Sequence, residues 1–137
     1  MENIAAIPLT FRYTIFYVNS VAETLKFYET AFGFKTLMLH ESGDYGELDT
    51  GSTKLAFSSL KLMEELGKSP AEVSSKKPTF EIAFETHDVE ATLTKAIAAG
   101  ASLVQKTEQM PWGQTTAYVN DNNGFLVELC TPISDQP

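Results

Sequence analysis

The chain spells one order of elements twice. Residues 12–18 are aromatic and β-branched, the composition of a strand, and Asn19-Ser20 ends it. Ser20 with Glu23 three residues on is a capping box, after which Val21, Leu25, Tyr28 and Phe32 recur at helical spacing as far as Gly33. Glycine there suits a left-handed helix terminus. Short strands are predicted at 35–40, 45–50 and 53–58, with turns at Glu41-Ser42-Gly43-Asp44 and Thr50-Gly51-Ser52. Residues 79–85 then reopen the series. Asp88 caps a second helix with an apolar stripe of Val89, Leu93, Ala96 and Ile97, and Gly100 closes it. Strands at 102–109, 114–119 and 125–130 complete the copy, the last two joined by Asp121-Asn122-Asn123-Gly124. A shift of 68 residues lays Phe16 on Phe84, Val21 on Val89, Thr24 on Thr92 and Leu25 on Leu93. The identities are few, and the repeated order of elements and caps is the stronger sign of duplication.

A chain of 137 residues suffices for one domain with a real core. The predicted fold class is α+β, a single domain over 1–137. Module one spans about 10–58, a connector 59–78 and module two about 79–132. Within the connector Leu62, Met63 and Leu66 support a short amphipathic turn, while Gly67, Pro70, Ser74-Ser75 and Pro78 read as loop.

Charge narrows the partners. Ten Lys and Arg against 18 Asp and Glu give a net charge of −8, and no basic stripe exists to meet a phosphate backbone. Neither nucleic acid nor an anionic membrane is expected as a partner. Cys130 is the only cysteine, so an intrachain disulfide and a four-thiolate zinc site are both excluded. Residues 1–8 lack a basic, apolar leader pattern, and no apolar run approaches the roughly 18 residues that span a bilayer. A soluble, cytoplasmic location is the expectation.

Strand alternation sorts the side chains. Thr14, Phe16 and Val18 should meet the first helix, which turns Tyr13 and Tyr17 to the opposite face. Ile82 and Phe84 do the same for the second, leaving Glu81 and Glu85 opposite. Likewise Val127 and Leu129 face inward against Glu128 and Cys130, and Ala117 and Val119 against Gln114, Thr116 and Tyr118. Leu48, Leu55 and Phe57 are core-like, opposing Glu47, Lys54, Ala56 and Ser58. The face away from the helices collects aromatics and carboxylates, so sheets that curl around a shared space would line it as an acidic, aromatic cup.

With these elements in place the chain resembles the vicinal-oxygen-chelate superfamily, which includes glyoxalase I, extradiol dioxygenases, fosfomycin-modifying enzymes and bleomycin-binding resistance proteins. The carriers are Phe16-Tyr17-Val18-Asn19-Ser20-Val21, Phe27-Tyr28, Gly33-Phe34, Pro111-Trp112-Gly113-Gln114 and the run from Val119 to Leu129. The resemblance implies two βαβββ modules forming a half-barrel around the site, and a homodimer. It also implies, in enzymatic members, a divalent metal held by His on the first strand of a module and a carboxylate on a later one. Here those His positions fall on Tyr13 and Glu81, the first carboxylate position falls on Ala56, and only Glu128 is retained. Two carboxylates and a neutral phenol are poor ligands for zinc or iron.

The candidate catalytic residues are therefore Glu128 and Glu81, which are also the metal ligands if a metal (Zn, Ni, Mn or Fe) is bound. The candidate ligand-binding residues are Tyr13, Tyr17, Glu47, Trp112, Gln114 and Tyr118, because aromatic faces and carboxylates suit a planar or cationic molecule. His40 and His87 fall at a strand end and beside a helix cap, away from the cup. The favoured reading is a small-molecule-binding protein of glyoxalase/bleomycin-resistance type, with no cofactor, sequestering a cationic or aromatic ligand. The alternative is a metal-dependent glyoxalase-like lyase or isomerase, or a dioxygenase.

Overall fold

The computed structural model describes residues 6–133, so the reading of residues 1–5 as no leader lies outside the described part. The first module holds β1 (Tyr13–Val18), α1 (Val21–Phe32), β2 (Lys35–Leu39), β3 (Tyr45–Asp49) and β4 (Lys54–Ser59). A short α2 (Leu60–Glu65) opens the connector. The second module holds β5 (Glu81–Glu85), α3 (Val89–Ala98), β6 (Ser102–Gln109), β7 (Thr115–Asn120) and β8 (Leu126–Cys130). The strands make two four-stranded sheets, ordered β1-β4-β3-β2 and β5-β8-β7-β6. In each the first strand runs parallel to the last and the other pairs are antiparallel. The architecture is α+β, two βαβββ modules with open sheets rather than a closed barrel.

The duplication extends to the caps. Ser20 Oγ accepts the Glu23 N–H at 3.2 Å, and Asp88 Oδ1 accepts the Ala91 N–H at 3.0 Å. One turn on, Thr24 and Thr92 each donate their hydroxyl to the cap residue's carbonyl, at 2.7 and 2.8 Å. Gly33 ends α1 at φ 76°, a left-handed backbone that a β-carbon disfavours. Ile97 departs from its expected place in the α3 stripe and is 40% exposed. The buried stripe is Val89, Leu93 and Ala96, which already fills the width that a 10-residue helix presents to its sheet. In α2 only Met63 is buried, and Leu66 just beyond it is 60% exposed.

The helix-side faces of both sheets meet in one core, and α1 is its centre. Tyr28 is fully buried, with its ring 5.3 Å from Phe57 in its own module and 6.4 Å from Phe84 in the other. Its hydroxyl donates to Asp121 Oδ2 at 2.6 Å. Asp121 is buried too, and its Oδ1 accepts the N–H groups of Asn123, Gly124 and Phe125 at 2.8, 2.9 and 2.9 Å. Burial alone raises the Asp121 carboxyl, and the phenol and the three amides pull it back. A turn in module two is thus tied to a helix in module one. Phe16 stacks on Phe125 with ring centres 4.0 Å apart and completes the seam.

Because the helix-side faces share this core, the helix-free faces of the two sheets point away from it. The row on β1 continues upstream of the strand. Ile7, Leu9, Phe11, Tyr13 and Ile15 are all apolar or aromatic, and all are exposed, Leu9 by 94%. Among the described residues no helix is long and apolar enough to cross a membrane.

Candidate functional site

Registers assign each module an equivalent constellation on its helix-free face. In the first, Ile15 on β1, Ala56 on β4 and Glu47 on β3 lie side by side across the sheet. In the second the corresponding row is Ala83 on β5, Glu128 on β8 and Tyr118 on β7. Two residues toward the start of the parallel pair stand Tyr13 and Glu81, opposite Lys54 and Leu126.

The second module gathers the carboxyls. Glu81 stands opposite Leu126, two residues before Glu128 on the neighbouring parallel strand and on the same face, so the two carboxyls are close neighbours. Partial burial and then the charge of Glu128 hold the Glu81 carboxyl above its usual range. Tyr118 joins the pair. Desolvation and the neighbouring Glu128 and Glu81 push its phenol up to about 12, so it stays protonated. Cys130 lies next on β8; burial raises its thiol, and so do Glu128 and Glu85, which keeps it from acting as a thiolate. Neighbouring carboxyls can give a proton to or take one from a bound group, and their charge would attract a cation placed there.

In the first module the corresponding carboxylate, Glu47, has its own donor. The Tyr45 hydroxyl donates to Glu47 Oε2 at 2.8 Å, and burial together with Glu47 and the nearby Tyr13 raises that phenol far above its usual range. Sequence reasoning passed over Tyr45. The signal was available, since residues 45 and 47 share one face of a strand.

The predicted residues therefore fall into separate groups. Glu81, Glu128 and Tyr118 come together, and Glu47 joins Tyr13 through Tyr45. Tyr17 lines a cavity beside β1. Trp112 and Gln114 sit at the β6–β7 hairpin, where the indole N–H donates to Gln114 Oε1 at 2.8 Å and Gln114 Nε2 donates to the Thr131 carbonyl at 2.8 Å. Trp112 is 65% exposed. His40 is occupied in its own turn, 2.8 Å from Ser42 Oγ.

A divalent metal asks for three or more donors of suitable charge. Here the group is two carboxyls and a protonated phenol. Among the described residues no three His, Cys, Asp or Glu side chains converge. The set does not fit a zinc or iron centre.

With this geometry in hand the relatives can be placed. The family model of the glyoxalase-like domain matches residues 11–134. No curated protein matches the chain by sequence. A glyoxalase/bleomycin resistance protein/dioxygenase family enzyme from Burkholderia phytofirmans shares the fold with a TM-score of 0.78 at 22% identity, over 90% of this chain and 98% of that one. A glyoxalase-related enzyme from Fulvimarina pelagi is similar at TM-score 0.75 and 19% identity, over 88% of this chain and 86% of that one. TioX from Micromonospora is similar at TM-score 0.68 and 21% identity, over 89% of this chain and 98% of that one. At such identities the likeness is one of fold.

Proposed function

The chain belongs to the glyoxalase-like domain family, and from that membership we propose that it is a metal-independent small-molecule-binding protein whose ligand is cationic or aromatic. The observation that carries this reading is the Glu81–Glu128–Tyr118 cluster, which offers negative charge and an aromatic face without a metal-ligating set. Such a surface attracts an organic cation by charge and by the ring quadrupole together. The net charge of −8 works in the same direction at longer range. Tyr13, Tyr45 and Glu47 form a second, weaker patch of the same character, because Glu47 is already engaged by a phenol.

The working form is a homodimer in the cytoplasm. The exposed row Ile7, Leu9, Phe11, Tyr13 and Ile15 supports the dimer, since an apolar stripe of that length is more stable covered than in water.

Calorimetric titration with benzyltrimethylammonium tests the ligand class. Binding that weakens about tenfold in Glu128→Gln is the expected result, the loss typical of one charge-assisted contact. Equal binding of an uncharged isostere would overturn the cationic reading. Dependence of binding on added Zn, Ni, Mn or Fe(II), abolished by EDTA, would overturn metal independence.

A further inference from the structure

A cavity of about 360 Å³ lies between β1, the connector and the start of β8. That volume is in the range that takes a small organic molecule. Three rings shape it. Phe16 and Phe125 stack, and Phe80 stands edge-on to the first at 5.7 Å and tilted to the second at 6.0 Å. Phe80 is 49% exposed although it packs on two buried rings, so one wall of the cavity is a bare aromatic surface. Glu72 and Lys77 line the cavity with opposite charges and leave it without a net sign.

Leu126 connects this space to the acidic cluster. It lines the cavity, pairs in register with Glu81, and precedes Glu128 by two residues on the same face of β8. Two residues along a strand span about 6.6 Å, about five bonds of an extended alkyl chain, a distance that a ring and a short linker cover together. The second cavity, of about 290 Å³ beside Thr14 and Phe84, carries Lys54 and no carboxylate, and so does not select a cation.

We infer that the Phe16–Phe80–Phe125 cavity receives the aromatic or alicyclic body of the ligand while its ammonium group rests on Glu81 and Glu128, which makes the ligand an arylalkylamine-like molecule rather than a small polar cation. The inference rests on the proposed function and adds the hydrophobic half of the ligand to it. Burying a ring against three aromatic side chains supplies affinity that the half-solvated carboxyl pair alone does not.

The test uses naphthylethylammonium as probe, with naphthylethanol as its uncharged analogue and ethylammonium as its headgroup, titrated by NMR against the full chain. Ser74 lines the cavity from the exposed connector, and Ser74→Trp fills the space without touching the core. Phe80→Ala removes the bare wall and serves as the second variant, with unfolding midpoints checked for both. The expected result is tighter binding of naphthylethylammonium than of either analogue, weakened about tenfold in Ser74→Trp, in Phe80→Ala and in Glu128→Gln alike. If only Glu128→Gln weakens it, the carboxyl pair binds cations and the cavity assignment is overturned. If only the cavity variants weaken it, the cavity acts alone and its coupling to the pair is overturned. No binding of the probe, or no effect of any variant, overturns this inference and the proposed function together.

Discussion

The two modules superpose in order, caps and register, yet their helix-free faces do different chemistry. In module one the central β4 position is Ala56, and the one carboxylate beside it, Glu47, accepts from Tyr45 two residues away. In module two the same position is Glu128, its neighbour on the adjacent antiparallel strand is Tyr118, and Glu81 stands where module one has Tyr13. Phenol and carboxylate have in effect changed places. A carboxylate with a phenol donor is satisfied, whereas two carboxyls held close together without such a donor are poised for a ligand or a proton. The scaffold fixes where side chains meet, and residue identity at two or three positions decides whether the meeting is structural or reactive.

The core shows a second asymmetry. Phe16 and Phe84 occupy equivalent strand positions, but Phe16 is 1% exposed and Phe84 is only half-buried. Phe16→Ala should cost about 3–5 kcal/mol in urea unfolding, and Phe84→Ala about 2 kcal/mol. Equal losses would mean that the modules contribute equally to the seam.

The turns that precede β4 and β8 give the next contrast. Thr50 Oγ1 accepts one backbone N–H, from Leu55 at 2.9 Å, whereas Asp121 accepts three and a buried phenol. Asp121→Ala leaves those donors unsatisfied and should cost about 3 kcal/mol, against about 1 kcal/mol for Thr50→Ala. A Thr50→Ala loss as large as that of Asp121→Ala would remove the distinction between a local turn and an intermodule tie.

Much of this was legible in the sequence. Periodicity located every strand within about two residues, because each is bounded by turn residues of distinct chemistry, and Ser20 and Asp88 announced both helices. Alternation also placed Tyr13, Glu81 and Glu128 on the face away from the helices. What periodicity lacks is the third dimension. It did not reveal that Tyr28 reaches Asp121 across 93 residues of chain, since either residue alone reads as an ordinary helix aromatic or turn acid. Nor did it separate Trp112 and Gln114 from the carboxyl cluster, because residues on one strand face can still lie at opposite ends of a sheet. Ile97 fits a helical stripe by spacing alone, yet Val89, Leu93 and Ala96 already make up the face that α3 buries, and Ile97 stays in solvent.

A smaller effect is expected at the phenols. Tyr45→Phe deletes the one hydrogen bond that satisfies Glu47 and should cost about 1 kcal/mol by urea unfolding. Tyr118→Phe should change stability less, because Glu128 keeps Glu81 as a partner, and its consequence belongs in the affinity for benzyltrimethylammonium. The reverse order of the two stability losses would place the structural hydrogen bond in module two.

The finest contrast is one of protons. In the unfolded chain Glu81 titrates near the ordinary value of about 4.3. In the folded chain burial and Glu128 hold its pKa higher, so between the two values the native state binds more protons than the unfolded state. Stability is then fullest below the ordinary carboxylate pKa and falls as pH rises through the raised native one. Glu81→Gln removes this titration and lets the amide donate permanently to Glu128. The variant should melt above the parent at neutral pH, and the advantage should vanish as pH falls toward 4.3, measured by paired thermal scans across that interval. Glu81 is exposed and water screens the repulsion, so this is the smallest of the expected effects. Module one has no counterpart, because a tyrosine, Tyr13, occupies the equivalent position rather than a carboxyl. A parallel shift of the Glu81→Gln curve at every pH would show that the Glu81 carboxyl is not raised in the folded chain, and the chemical difference between the modules would reduce to the placing of charge.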